Sequence, residues 1–220
     1  MARRTLEATA ATLTAAAALL LTACGSGAEP PEEPKGARET GTRSASPTGT
    51  KRTHAERPDV SLPKDLDLVF DFDRPSDQDS ATALDDAANY IRALNHGITK
   101  QDPEDPAFQF YSSGQAAQYA HSQIKEYADG GWTLTGQDRY YQAEAKPFDE
   151  SQKVKTISVT FCEDQSKVYG KEVKSEKIHR TRESLASYQR FTVLLAFVKG
   201  KPGWRAQQVT VEEEAEECRS

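Results

Sequence analysis

Hydrophobic residues in the C-terminal part of the chain first recur with a helical period. Over residues 77–100 they fall at the spacing of one helical face, which predicts a helix capped by Asp79 or Ser80. A second helix is predicted over residues 114–128, where a Gly-Gly pair ends the pattern. Both helices come before the predicted strands.

From residue 132 onward the pattern changes to a period of two, which predicts β-strands. Alternation is clearest over residues 153–162, and residues 188–198 are apolar on both faces, which is typical of a central strand covered on both sides. The Asp-Gln-Ser run at 164–166 predicts a turn, and the charged residues 174–184 predict an exposed loop. Further strands are predicted over 132–146, 168–173 and 204–211. This order gives an α+β domain with N-terminal helices packed on one face of an antiparallel sheet.

The N-terminal residues have a different composition, which predicts a targeting segment. Arg3 and Arg4 precede an apolar, threonine-rich run that ends in small residues before Cys24. Residues 1–23 are therefore interpreted as a signal peptide. The apolar run is shorter than the ~20 residues that a spanning helix needs. The alternative is an ordinary secretory signal in which the cysteine is incidental.

The residues Leu21-Thr22-Ala23-Cys24 resemble the lipobox of bacterial lipoproteins. The resemblance implies that Cys24 carries a diacylglycerol thioether and becomes the mature N-terminus, on the extracytoplasmic face of the cell membrane. More than one acyl chain is needed for stable anchoring. Residues 24–60 are rich in Pro, Gly, Ser and charged residues, which predicts a disordered tether. A folded domain is then expected over residues 61–220.

The net charge of the chain argues against some classes of binding partner for this domain. The 220 residues carry a formal net charge of −6. Mild acidity argues against nucleic acid as a partner, and against binding to anionic lipid through charge alone. The expected partners are the membrane, through the lipid anchor, and an unidentified cell-envelope protein or small ligand.

Two cysteines remain when Cys24 is assigned to lipid. Cys162 and Cys218 form an even pair in an oxidising compartment, which predicts a disulfide between them. Two free thiols are the alternative. A redox role is not favoured, because the chain has no Cys-x-x-Cys run.

The sequence offers few patterns for catalysis. His96, His121 and His179 do not have metal-ligand spacing, so no metal site and no cofactor is predicted. Asp85 and Asp86 point ~100° apart on a helix, which favours surface acids over a catalytic pair.

Several surface segments have two interpretations. The acidic run 212–217 is interpreted as a solvated tail rather than a calcium site. The basic segment 167–190 could face an anionic polymer, although a solvated loop and edge strand is favoured. Six aromatic residues could line the mouth of a cavity or pack in an ordinary core: Phe108, Tyr111, Tyr119, Trp132, Tyr140 and Tyr141.

The order of elements resembles the NTF2-like (cystatin-like) α+β domain of secreted actinobacterial lipoproteins. The residues behind the resemblance are a helix ending before Gly130-Gly131-Trp132, the stretch 159–166 and a final strand over 203–211. The resemblance extends over roughly residues 78–218. It implies a curved sheet that wraps around the helices and can leave a conical cavity. Some members of this superfamily are enzymes with an acid or histidine in that cavity, and others are scaffolds.

Three functional hypotheses follow, because the fold alone does not determine function. The favoured one is a non-catalytic binding or interaction module. A pocket protein for a small molecule or lipid requires an apolar cavity of ~300 Å³ or more. A hydrolase or isomerase requires an acid or histidine buried in the cavity with a shifted pKa. The sequence places no residue in the cavity, so no catalytic residue is predicted.

Overall fold

The computed structural model describes residues 57–149 and 154–219. The predicted signal peptide, Cys24 and all but the last residues of the predicted tether lie outside the described residues. The helices and strands, in chain order, are β1 (Leu66–Asp71), α1 (Gln78–Lys100), α2 (Pro106–Tyr111), α3 (Gly114–Gly130), β2 (Trp132–Pro147), β3 (Thr156–Glu172), β4 (Ile178–His179), β5 (Tyr188–Phe197) and β6 (Trp204–Glu213). No helix in this part of the chain is long and apolar enough to cross a membrane.

The strands form one mixed sheet in the order β1-β2-β3-β5-β6, with the short β4 paired to β3. The α+β class is confirmed. The prediction of a purely antiparallel sheet is wrong, because β1 pairs with β2 in parallel. All three helices lie between these two strands in the chain, and a long helical connection of this kind allows parallel pairing.

β3 runs without interruption through the residues predicted to form a turn. Gln137 pairs with Lys167 and Arg139 pairs with Asp164, so two residues of β3 face one residue of β2. The Asp-Gln-Ser run therefore forms a β-bulge, in which the Ser166 N–H donates to Asp164 Oδ1 at 2.9 Å. A second irregularity lies in β2, where Gln142 has a φ of 50°. The predicted turn at 164–166 is wrong, because side-chain capping also suits a bulge.

The helix starts also differ in detail from the predictions. Asp77 caps α1 and accepts the Ser80 N–H at 2.7 Å, so neither Asp79 nor Ser80 is the cap. The connection before α3 contains α2, which Asp105 caps. The predicted charged loop 174–184 contains the two residues of β4.

α1 and α3 pack on one face of the sheet, mainly against β2 and β6. The largest fully buried side chains include Tyr90, Ile91, Ile124, Tyr140 and Phe161. β5 is an inner strand between β3 and β6. At its C-terminal end both faces are partly exposed, because Phe197 and the next residue, Val198, are 44% and 36% exposed, so the prediction that both faces are covered is wrong at this end.

Candidate functional site

A cavity of about 530 Å³ opens between the helices and the sheet. Its lining residues belong to α1, α3, β2, β3, β5 and β6. The apolar lining residues are Ile91, Leu94, Ile98, Leu134, Val168, Phe191, Val209 and Val211. The polar lining residues are Asn95, Tyr119, Gln123, Tyr127, Asp138, Tyr140, Glu163, Gln165, Gln189, Thr210 and Glu213.

Three buried polar side chains meet in this cavity because of strand geometry. Asp138 and Tyr140 are two residues apart on β2 and share a face, and Tyr140 is the register partner of Glu163 on β3. The Tyr140 hydroxyl lies 2.6 Å from Asp138 Oδ2 and 2.9 Å from Glu163 Oε1. All three residues are at most 7% exposed. Two carboxyl groups are thus joined through one phenol inside the domain.

Burial disfavours the charged forms of both acids. It raises the pKa of Asp138 to about 7. Burial, and then the charge of Asp138, raises the pKa of Glu163 well above its usual range. Two such carboxyl groups cannot both ionise at neutral pH, so they retain a proton as a pair.

Two tyrosines of α3 face the same acids. Burial, followed by the charge of Glu163, raises the pKa of Tyr119 to about 12. Burial also raises the pKa of Tyr127, with a further contribution from Glu163. Both hydroxyls therefore stay protonated at neutral pH and can donate hydrogen bonds inside the cavity.

The polar end of the cavity continues across the sheet towards solvent. Glu163 pairs with Gln189 on β5, and Gln189 pairs with Glu213 on β6. Side chains in register on neighbouring strands share a face. Glu213 is exposed, so the row formed by Glu163, Gln189 and Glu213 extends from the interior of the domain to solvent.

Cys162 and Cys218 lie at disulfide distance, with their Cα atoms 5.4 Å apart, which agrees with the predicted bond. Both are buried beside Tyr141, Tyr188 and Ala215. Cys162 precedes Glu163 directly on β3, so the two side chains point to opposite faces of the sheet. The cysteine pair therefore fastens the C-terminal residues to the face that does not line the cavity.

The histidines of the described residues lie outside the cavity. His96 is buried and donates from Nδ1 to the Ser61 carbonyl oxygen at 2.7 Å. His121 lies 3.2 Å from Glu104, and His179 lies 2.7 Å from Glu172. The described residues contain no group of three or more His, Cys, Asp and Glu that could hold a metal ion.

The interpretation of Asp85 and Asp86 as two surface acids is wrong for Asp86. Asp85 is exposed and pairs with Arg74. Asp86 has a side chain only 2% exposed, which accepts from Arg57 at 2.5 Å and from the Trp204 N–H at 2.8 Å. Asp86 thus ties α1 to the start of β6, and it does not line the cavity.

The structure also shows where the acidic run, the six aromatic residues and the basic segment lie. The five glutamates of the run are exposed, as a solvated segment requires, but the run is not a tail, because Glu212 and Glu213 belong to β6 and Glu216–Cys218 forms a 3-10 helix. Of the six aromatic residues, Tyr119 and Tyr140 line the cavity. The ring of Trp132 packs against His179 at 4.9 Å. The basic segment contributes to β3, β4 and β5.

The two buried acids could not be recognised from the sequence pattern, because each lies in a polar run. Asp138 stands between Gln137 and Arg139, and Glu163 begins the stretch predicted to turn. A pattern for Glu163 was nevertheless present. The buried positions Val159 and Phe161 continue with a period of two to residue 163, which places this carboxyl on the core face.

Comparison with known proteins adds a distant structural likeness. No protein-family model and no curated protein matches the chain. The chain is similar in structure to the intermembrane-space region of the chloroplast protein ARC6, with 11% sequence identity and a TM-score of 0.41. The match covers 62% of this chain and 98% of that chain.

Proposed function

We propose that this chain is an exported lipoprotein whose NTF2-like domain binds a small molecule in the cavity. Cys24 anchors it to the extracytoplasmic face of the cell membrane, and residues 24–60 serve as the tether. The complete lipobox motif supports the anchor. The helices packed against one face of a mixed sheet, with a cavity between them, support the domain type.

The observation that carries the proposed binding function is the composition of the cavity. Its volume of about 530 Å³ lies within the ~300–1,000 Å³ range of small-molecule sites. Eight of its lining residues are apolar and eleven are polar, and the buried groups Asp138, Tyr140 and Glu163 lie next to one another. Apolar surface contacts the body of a ligand, and convergent polar groups fix its orientation. A protein partner on the outer surface would not require this arrangement.

A variant that fills the cavity should abolish binding. Val211→Trp adds a large ring to the apolar wall, so we expect the affinity for the neutral fluorophore N-phenylnaphthylamine to fall at least about tenfold. Fluorescence titration of the purified chain measures this change. Val173→Trp is the matched control, because Val173 is exposed and does not line the cavity. Unchanged affinity in Val211→Trp would place the binding site elsewhere.

Removing the lipidation residue should release the protein from the membrane. We expect Cys24→Ala to leave the precursor unprocessed or to move the protein to the medium, because no acyl chain is attached. Fractionation, with radiolabelled palmitate as a tracer, measures both effects. Normal processing together with unchanged membrane retention would contradict the proposed anchor.

A hydrolase or isomerase is the second candidate function. The observation that favours it is a carboxyl group in the cavity, Asp138, whose pKa of about 7 suits general acid–base catalysis near neutral pH. The two functions differ in the expected behaviour of Asp138→Asn. An enzyme would lose turnover while the variant still bound its substrate.

A further inference from the structure

The Tyr140 hydroxyl sets the minimum number of protons that the two buried acids hold. It contacts a carboxyl oxygen of Asp138 on one side and one of Glu163 on the other. A hydroxyl group has a single proton, so it donates one of these hydrogen bonds and accepts the other. Only a protonated carboxyl group can donate to it. The two acids therefore hold at least one proton between them, and above the Asp138 pKa of about 7 they hold one proton and one negative charge.

The distances assign the negative charge to Asp138. The 2.6 Å contact to Asp138 has the length of a hydroxyl donating to a carboxylate, and the 2.9 Å contact to Glu163 is that of a longer, neutral hydrogen bond. Glu163 accordingly donates to Tyr140, and Tyr140 donates to Asp138. The pKa directions agree that the pair keeps a proton, because burial raises the pKa of both groups.

The second carboxylate oxygen of Asp138 lacks a donor. Oδ1 is buried and makes no hydrogen bond of normal geometry among the described residues, although the Glu163 side chain and the Arg139 backbone also interact with this carboxyl group and lower its pKa. A buried oxygen without a donor loses the hydrogen bonds it makes to water in the unfolded chain. Asp138 lines the cavity but Oδ1 itself is almost inaccessible, so a ligand can supply the donor once this side chain rotates.

The other ionisable groups that line the cavity are acids or tyrosines. They are Glu163, Glu213, Tyr119, Tyr127 and Tyr140. No Lys, Arg or His lines the cavity among the described residues, so each of these groups is either neutral or negative. The resulting field attracts cations and repels anions.

The geometry points to a protonated amine with an apolar body as the ligand of this cavity. Its ammonium N–H donates to Asp138 Oδ1, and its charge balances the carboxylate. The apolar body contacts walls that include Leu94 and Phe191, and the rings of Tyr119 and Tyr127 can face the cation. This inference rests on the proposed function of the cavity as a ligand pocket.

The need for a hydrogen-bond donor at Asp138 Oδ1 also determines which class of amine should bind most tightly. A quaternary ammonium has the same charge but no N–H, so it leaves Oδ1 without a donor. A primary amine should therefore bind more tightly than its trimethylated counterpart. A neutral alcohol can donate a hydrogen bond but cannot balance the charge.

The test compares three probes with the same apolar body: phenylbutylamine, its trimethylammonium counterpart and phenylbutanol. Each displaces N-phenylnaphthylamine from the full chain at about pH 8, where Asp138 is mostly ionised. We expect the amine to bind at least about tenfold more tightly than the alcohol, the advantage of a charge-assisted hydrogen bond. The trimethylated probe should lie between them.

Asp138→Asn should reduce the preference for amine over alcohol to within about twofold, because it removes the charge and keeps the shape. Glu212→Gln is the matched control. It changes the net charge equally but does not line the cavity, and its neighbour Glu213 does. This control should keep the wild-type preference.

Lowering the pH gives a second measurement that needs no variant. At about pH 5 Asp138 is protonated, so the preference for the amine should fall in the wild-type protein. The titratable groups around Asp138 are Tyr140 on β2, Glu163 and Asp164 on β3, and Tyr127 on α3, with Tyr119 and Glu213 further along the cavity. None of them acquires a positive charge, so none can replace the lost attraction.

Equal affinity of the wild-type protein for amine and alcohol would overturn the amine inference and leave the pocket intact. A preference for amine that survives in Asp138→Asn and at about pH 5 would also overturn it, because the charge would then lie elsewhere. Failure of all probes, including N-phenylnaphthylamine, would instead overturn the proposed pocket function.

Discussion

The free energy of unfolding should fall as the pH rises from about 4 to about 7, and Asp138→Asn should remove the share of this fall that Asp138 causes, while the raised pKa of Glu163 causes the rest. Burial raises the pKa of Asp138 from its ordinary 3.8 to about 7, so the folded state binds more protons than the unfolded state in this range. The stability contributed by the protonated group is complete below about pH 4 and is lost as the pH rises through about 7. The loss is on the order of 4 kcal/mol.

Below about pH 4 the free energy of unfolding should instead fall as the pH is lowered. Hydrogen bonds to Lys171 and to the Ser80 N–H lower the pKa of Asp65 and Asp77, so protonation of these carboxylates destabilises the folded state. The protein should therefore be most stable in mildly acidic solution. Urea unfolding at several pH values measures the profile, with Glu212→Gln as a control for net charge. The same decline in Asp138→Asn as in the wild-type protein would show that another group causes it.

Loss of the disulfide should lower the free energy of unfolding by a similar amount. Cys162 and Cys218 are 56 residues apart, and a bond across such a loop restricts the unfolded chain. We expect the double variant Cys162→Ala/Cys218→Ala to lower the free energy of unfolding by about 4 kcal/mol in the chain-entropy model. Chemical unfolding of the variant and of the oxidised wild-type protein measures the difference.

The reduced wild-type protein is the matched comparison for the double variant, because it has the same cysteines without the bond. The two should unfold at similar denaturant concentrations. Cavity binding should persist in both while they remain folded, because the cysteine pair lies on the opposite face of the sheet from Glu163. Equal stability of the oxidised and reduced proteins would contradict the proposed structural role of the bond.

The regular elements with strong periodicity could be predicted from the sequence. The apolar stripe that includes Leu84, Ile91 and Ile98 lies on the buried face of α1. The alternation of Ile157, Val159 and Phe161 places these side chains in the core. Both features could be predicted because the period of the apolar residues depends only on near neighbours in the chain.

The parallel edge strand and the bulge depend on distant partners. β1 has alternating Leu66, Leu68 and Phe70, but its pairing with β2 requires the three intervening helices to fold over the sheet. The Asp-Gln-Ser run has the same local chemistry in a turn and in a bulge. Local sequence therefore could not distinguish a hairpin at residue 164 from a continuous β3.

The candidate site could not be predicted because ionisable residues are usually exposed, whereas the two acids of this site are buried. Asp138 and Glu163 are charged residue types in polar runs, and such residues are rarely buried without a partner. Their partner is Tyr140, which the sequence analysis treated only as a core or cavity aromatic. The buried trio became visible when the β2–β3 register was known.

The central claim is that Asp138 and Glu163 share one proton in the cavity, and carbon NMR of their carboxyl groups tests it most directly. With selectively labelled Asp and Glu, the carboxyl shift of each residue is followed against pH and assigned with Asp138→Asn and Glu163→Gln. We predict that Asp138 titrates near pH 7 and that Glu163 remains protonated through that transition. Titration of both groups near their ordinary pKa values of about 4 would contradict the account.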